Sequence, residues 1–493
     1  MAKKTTENGN GSSKGAQRRS YESPLTGRYG SPEMSYIFSP QFKFSTWRKL
    51  WVALAEGERM LGLPITDKQI SQLKKYVDDV NFEVAEAKEK EIRHDVMSHV
   101  YAYGVQAPMA KGIIHLGATS AYVTDNTDLI QIRSALELTA QKLTNVIDKL
   151  ANFADQWADL PTLAYTHFQA AQPTTVGKRA CLWIQDLLLD LEEIERVRET
   201  LPFLGVKGTT GTQASFLELF GGDIKKVQRL EHLVAESMGF DRVLAVSGQT
   251  YTRKLDYRAL SALCALAQSA HKFANDMRLL AHLKQVEEPF EKEQVGSSAM
   301  AYKRNPMRAE RMDALSRHLI VNSLNPAFTA ATQWFERTLD DSANRRIAIP
   351  EAFLAADAIA LIYDNIVGGL VVHEDVIAAN VRRELPFLMT ENLMMEGARR
   401  GGDRQVLHER FRIHARAAAD ALKNGAAEND LFDRIAADPL FGIDRASIAR
   451  MARPEDYTGL SRQQTERFLI EDVDPILQAE GASAASERAE LRV

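Results

Sequence analysis

The sequence predicts an all-α protein built around an elongated bundle of very long helices. Three observations carry that expectation. Apolar residues recur at i, i+3, i+4 and i+7 through several stretches far longer than the usual globular helix. Strand signals are sparse, "RVLAVSG" being the best short run, and no strands alternate with helices as a parallel sheet requires. Long helices of this kind bury most area against copies of themselves, so a homo-oligomer is expected.

Residues 1–20, "MAKKTTENGNGSSKGAQRRS", are polar and rich in glycine and serine, the composition of a disordered tail. Their glycines and lysine lack the preceding strand and following apolar helix of a nucleotide loop. In "STWRKLWVALAEGERMLGLP", Trp47, Leu50, Trp51 and Leu54 mark one helical face. Ser45 or Thr46 is expected to cap that helix, and Gly62 with Pro64 to stop it. Further helices are expected over 126–155, 178–201 and 257–284, and from Ala352 to about Leu370. Composition shifts near "KGIIHLGATSAYVTDN" and at Gly368–Gly369 divide the chain. The expected organisation is a tail at 1–20, an N-terminal helical domain at 21–119, a central bundle at 120–372 and a C-terminal helical domain at 373–493.

Composition narrows the function. A formal charge of -5 argues against a nucleic-acid partner, so any phosphate site must come from a local arginine cluster. No uncharged apolar run is long enough to span a membrane, and the N-terminus lacks a signal-peptide core. A cytoplasmic protein is expected. Cys181 and Cys264 lie far apart in apolar helical runs and read as free thiols, with no Cys/His spacing for a metal.

The unusual polar chemistry sits in segments that interrupt the helical pattern, where sites usually lie. In "QVGSSAMAYKRNPMRAER" (294–311), Asn305 and Pro306 read as the N-cap and first residue of a helix. Its free N–H groups are expected to attract an anion beside Lys303, with Arg308 and Arg311 one turn apart. Gly296, Ser297 and Ser298 form a loop suited to closing over a ligand. A solvated, charged helix start is the competing reading. His167, in "THFQAAQ", lies off any apolar helical face and is an acid/base candidate, with a structural role equally open. Arg93, His94 and Asp95 suit substrate contact, because His94 and His99 lack the spacing of a helical metal pair. "WFERTLDDSANRR" holds Arg337, Ser342, Arg345 and Arg346, a set that suits a phosphate. Asp340 and Asp341 suit an ion-pair network there equally well. "KGTTGTQASF" brings glycines and hydroxyls without the order of a Walker loop.

"GSSAMAYKRNP" resembles the GSSxMPxKxNP signature of the fumarase/aspartase superfamily. "HLGATSAYVTDNTDL", "THFQAAQPTTVGKR", "GVKGTTGTQASF", "SGQTYTRK" and "QWFERTLDDSANRR" are similar to segments of the adenylosuccinate lyase family in its longer form. The similarity runs from about residue 21 to the C-terminus. It implies a three-domain helical subunit, a homotetramer with a twenty-helix core, active sites shared by three chains, and no metal or organic cofactor. It implies purine nucleotide substrates: adenylosuccinate cleaved to AMP and fumarate, and the succinylcarboxamide ribotide SAICAR cleaved to AICAR and fumarate. In that reading Ser297 is the general base and His167 the general acid. Arg28, Tyr29, Arg337, Ser342 and Arg346 hold the phosphate and its surroundings. Arg93, His94, Asp95, Thr119, Ser120, Gln249 and Arg311 contact substrate. Lys303 and Asn305 serve the succinyl carboxylates, and Glu310 orients His94 or the loop. Ala301 and Ala170 stand where the signature and close relatives carry proline. The nucleotide-type segments speak against argininosuccinate lyase or fumarase, and the reactive residues speak against a non-catalytic helical protein.

Overall fold

The computed structural model describes residues 19–479 and Leu491, so the expected tail at 1–20 lies, save for Arg19 and Ser20, outside the described residues. Five helices form the bundle: Ser120–Gln156, Val176–Thr200, Lys254–His282, Met307–Asn322 and Asp341–Val367. The last of these packs against the 120–156, 254–282 and 307–322 helices. From Ala352 to Val367 every residue but Leu361 is buried. A helix enclosed by neighbours must be apolar on all sides, and the run "AFLAADAIALIYDNIV" is nearly so. Its buried acids are paired: Asp364 with Lys149 at 2.7 Å, and Asp357 with Lys142.

Helix ends depart from expectation where caps compete. The first tryptophan-bearing helix is Pro40–Met60, begun by Ser39, whose side chain accepts from the Phe42 amide, with proline at the first position. Ser39-Pro40 is the stronger start signal, so Ser45 and Thr46 are buried inside the helix. Gly62, at φ 98°, follows its end as expected. The last bundle helix starts at Asp341, well before Ala352, and carries Pro350 in its interior. "RHDVMSH" is also partly helical: His94 is the N-cap of Asp95–Gln106.

"RVLAVSG" forms no strand; Val243 makes one isolated bridge with Phe203. The run is too short and too flanked by turns to pair further. Strands appear instead at Pro161–Thr166 and Gln169–Thr175, an antiparallel hairpin with an irregularity between Leu163 and Tyr165. A second small sheet joins Val286–Glu287 to Val371–Val372.

A separate apolar cluster, including Leu385, Leu393, Leu407, Phe411, Leu431, Ile435, Phe441 and Ile448, unites the helices after residue 373. Leu469 and Val473 return the chain to the main core. Cys181 is buried, Cys264 is half-buried, and both are free. Among the described residues no helix is long and apolar enough to cross a membrane.

Candidate active site

Helix starts surround one open cleft of about 890 Å³, the size of a small-molecule site. The helices Asp95–Gln106, Ser120–Gln156 and Asp341–Val367 each contribute residues from their first turn or cap. Arg93, His94, Asp95, Thr119, Ser120, Gln249, Arg337, Ser342 and Arg346 all line it. These sequence candidates, drawn from four distant segments, are therefore brought together. Thr119 precedes its helix without using its side chain as a cap. His94 Nδ1 accepts from the Met97 amide at 3.4 Å, and Nε2 lies 3.4 Å from Ser120 Oγ. A neutral His94 in this geometry carries its proton on Nε2, facing the serine.

A buried ionic network forms the floor. Arg253 binds Asp125 at 2.8 Å and Asp341 at 2.7 Å. Arg345 binds Asp256 at 2.7 Å and Asp128 at 2.8 Å, and also reaches the Tyr251 hydroxyl. Arg345 thus belongs to the network rather than to a phosphate fork. Asp341 neutralises Arg253, from another segment, rather than the arginines near it. With Arg253 and Arg345 paired, Lys43, Arg93, Arg337 and Arg346 remain on the walls against Glu89 and Asp95. Arg346 lies 3.3 Å from Asp95, an exposed pair of little strength. The two floor arginines meet four carboxylates, so the formal charges of floor and walls balance, and an anion would be met by the wall guanidinium groups themselves. Burial lowers the Lys43 pKa against the pull of Asp128. Lys43 was not singled out from sequence because a lysine on an amphipathic helix reads as solvated.

The rim is two loops pressed together. Arg337 donates to the Gln249 side-chain oxygen at 2.7 Å, and the Gln249 amide donates to the Glu336 carbonyl at 3.0 Å. Gln249 Nε2 donates to the Thr209 carbonyl at 3.0 Å, so "KGTTGTQASF" supports the rim. A Cβ on Gly248 would overlap the Glu336 backbone.

The signature segment is a loop from 289 to 306, and one expectation fails there. Pro306, not Asn305, stands at the cap position of Met307–Asn322, with no side-chain cap. The first N–H groups are not open to an anion. Glu288 fills that place: its two carboxylate oxygens accept from the Arg308 and Ala309 amides, each at 3.0 Å. Arg308 is buried and turns to the Pro289 carbonyl, so it does not pair with Arg311 on one face. Asn305 donates to the Gly296 carbonyl at 2.8 Å. Ser297 is half-buried, and Lys303 is exposed.

Two further groups lie apart from the cleft lining. Arg28 and Tyr29 end a five-residue turn, Leu25–Tyr29, followed by Ser31, whose amide donates to Asp357 at 2.6 Å. The Arg311 guanidinium lies 5.7 Å from the Tyr29 ring centroid, which joins these three candidates. His167 and Phe168 form the two-residue tip of the hairpin, exposed, at φ 52° and 57°. Two left-handed residues suit a tight hairpin, but side-chain-bearing residues there cost about 1–2 kcal/mol each. His167, Ser297, Lys303, Asn305, Glu310, Arg28, Tyr29 and Arg311 are not among the cleft-lining residues.

Residues 28–320 match the family model described as lyase, and residues 386–468 match the one described as adenylosuccinate lyase C-terminus. The adenylosuccinate lyase of Saccharomyces cerevisiae is 52% identical over 461 residues, covering 93% of this chain and 96% of that protein. The chain belongs to the adenylosuccinate lyase family. It lies within the fumarase/aspartase superfamily and is a carbon–nitrogen lyase. The adenylosuccinate lyase of Schizosaccharomyces pombe is 50% identical over 480 residues, covering 96% of this lyase and 99% of that one. The 3-carboxy-cis,cis-muconate lactonizing enzyme of Pseudomonas putida shares the fold, with a TM-score of 0.78 at 21% identity over 93% of this lyase and 99% of that chain. The fumarate lyase of Mesorhizobium sp. BNC1 gives 0.76 at 22% identity over 90% and 99%.

Proposed function

We propose that this lyase cleaves adenylosuccinate to AMP and fumarate, and SAICAR to AICAR and fumarate, in purine nucleotide biosynthesis in the cytoplasm. The observation that carries the reading is the cleft, which gathers Arg93, Arg337 and Arg346 with the hydroxyls of Thr119, Ser120 and Ser342. Guanidinium forks and hydroxyls on rigid helix ends suit a nucleotide phosphate and its sugar.

The reaction is a β-elimination. Ser297, as the alkoxide whose formation a closed cationic loop makes less costly, takes the proton from the carbon beside a succinyl carboxylate and becomes the neutral hydroxyl. The electron pair left behind forms the new carbon–carbon double bond, the bond to nitrogen breaks, and His167 protonates the departing nitrogen. Negative charge builds on the carboxylate as the proton leaves, so fixed positive potential matters most. Lys303 supplies it from the loop, together with loop amides and Asn305, whereas the helix N-terminus after Pro306 is occupied by Glu288. Arg28, Tyr29 and Arg311 contact the nucleotide, and Glu310 orients His94 or the loop.

The working unit in this reading is a homotetramer whose central helices form the common core and whose sites combine three chains. Ser297 and His167, with Lys303, Asn305, Glu310, Arg28, Tyr29 and Arg311, lie outside the lining of the cleft that holds the remaining candidates, which supports completion by neighbouring copies. Val321, Leu324, Phe328, Trp334, Phe335, Leu339 and Ile347 are exposed on or beside the bundle, an apolar surface that a second copy would cover. The domain division at 21–119, 120–372 and 373–493 belongs to the same reading.

Fumarate release from adenylosuccinate, SAICAR, argininosuccinate and malate tests the function, alongside sedimentation for the assembly. Release from both purine substrates alone is expected. Release from argininosuccinate or malate, or a monomer with full activity, overturns the corresponding part.

A further inference from the structure

The 289–306 loop leaves and re-enters the bundle at one point, and a single side chain closes it. Glu288 is the last residue before the loop and is buried. Its two oxygens take the Arg308 and Ala309 amides at 3.0 Å each, the first free donors of the helix the loop leads into. Burial raises the Glu288 carboxyl, and the two amide bonds with the Arg308 charge pull it back towards the carboxylate. Arg308 reinforces the neck from the other side. It donates to the Pro289 carbonyl, and it reaches Glu291 at 3.2 Å and Gln294 at 3.3 Å. Higher up, Asn305 donates to the Gly296 carbonyl at 2.8 Å, and a Cβ on Gly296 would overlap the Lys303 carbonyl.

We propose that Glu288 is a positioning residue of this lyase: it clamps the neck of the loop, with Arg308 and Asn305 confines loop motion to about residues 297–304, and thereby sets where Ser297 arrives. The inference rests on the assignment of Ser297 as the base. The helix end cannot receive a substrate carboxylate while it holds this one, so the succinyl group must be met by Lys303 and the loop itself. A side chain that fixes the base of a moving loop acts on geometry, and a misplacement of about 1 Å is enough to lose about a hundredfold in rate.

Hydrogen exchange of the ligand-free, full-length enzyme, read residue by residue, tests the clamp without any variant. The Arg308 and Ala309 amides should exchange at least about a hundredfold more slowly than those of Ser298 to Lys303. Equal rates overturn the proposal. In Glu288→Gln, a neutral amide accepts from one donor and turns its own NH₂ towards the other. Exchange at Arg308 and Ala309 should rise and kcat should fall about a hundredfold. Affinity for AMP, measured by calorimetry, should stay within about twofold, because the cleft is untouched. Parental kcat, or equal losses of kcat and AMP affinity, overturn the proposal. If the variant does not fold, the exchange result on the parent decides. The two readings fail separately: a fully active Ser297→Ala removes the base and leaves the clamp measurable, whereas unprotected Arg308 and Ala309 amides remove the clamp and leave the base.

Discussion

The Ser297 hydroxyl accepts a hydrogen bond from the Met300 amide at 3.2 Å. The oxygen proposed as the base is therefore engaged with its own loop, and it must be turned outward to reach a substrate carbon. Ser297→Ala removes the oxygen and leaves the cleft intact. Turnover should fall by about 10²–10⁴ while nucleotide affinity is kept. Parallel fumarate assays and calorimetry check this, and a variant with near-parental turnover would exclude Ser297.

Lys303 donates its amide to the Met300 carbonyl at 3.0 Å, which puts Ala301 at the second position of a tight turn. Proline is favoured there because its ring presets the backbone. Ala301→Pro should slow exchange across 298–303 and stabilise the loop by about 0.4–1 kcal/mol. The rate should change less than about tenfold, since alanine carries no functional group to lose. Unchanged exchange would show that the turn needs no presetting.

Arg345 balances Asp256 and Asp128 beneath the cleft, and Asp256 is almost wholly buried. Arg345→Met leaves those carboxylates without their partner. A loss of about 3–5 kcal/mol is expected, seen as a lower denaturation midpoint. A midpoint within error of the parent would show that the network rearranges at no cost.

Glu58 is fully buried and neither carboxylate oxygen has a hydrogen-bond partner. Burial pushes its carboxyl up to about 8. An unfolded glutamate titrates near about 4.3, so between these values the native state holds the extra proton. Stability from this group is present below about pH 4 and is lost as pH rises through about 8. Glu58→Gln should remove that slope and stabilise the protein by on the order of a few kcal/mol near about pH 8.5. Asp190, raised by burial to about 7, leaves a residual slope in both proteins. At the acid end the sign reverses. Burial lowers His99 and His115 to about 4, so their contribution is lost as pH falls from about 6.5 towards 4. Melting curves across pH check both limbs, and identical slopes in parent and Glu58→Gln would exclude Glu58.

The long helices were legible because a 3.6-residue period survives any tertiary arrangement. Their ends were less so: Ser39-Pro40 outcompetes Ser45, and Pro350 is tolerated inside a helix whose start lies at Asp341. The hairpin at 161–175 was hidden, since Pro173 reads as a breaker and His167-Phe168 is no ordinary turn pair. The cleft residues were legible as polar interruptions in helical pattern. Lys43 and Glu288 were not, because an isolated lysine or glutamate carries no local signal; their importance comes from residues far along the chain. Arg345 stands out in the sequence as a phosphate candidate, but its network role does not, because its partners Asp128 and Asp256 come from two other helices.

Gly248 lies so close to the Glu336 backbone that no side chain fits between them, while Gln249 and Arg337 bond across the same seam. The mechanical consequence is a locked pair. A substitution at 248 forces the loops apart and displaces both neighbours together. A change at 249 or at 337 alone would leave the other without its partner across the seam.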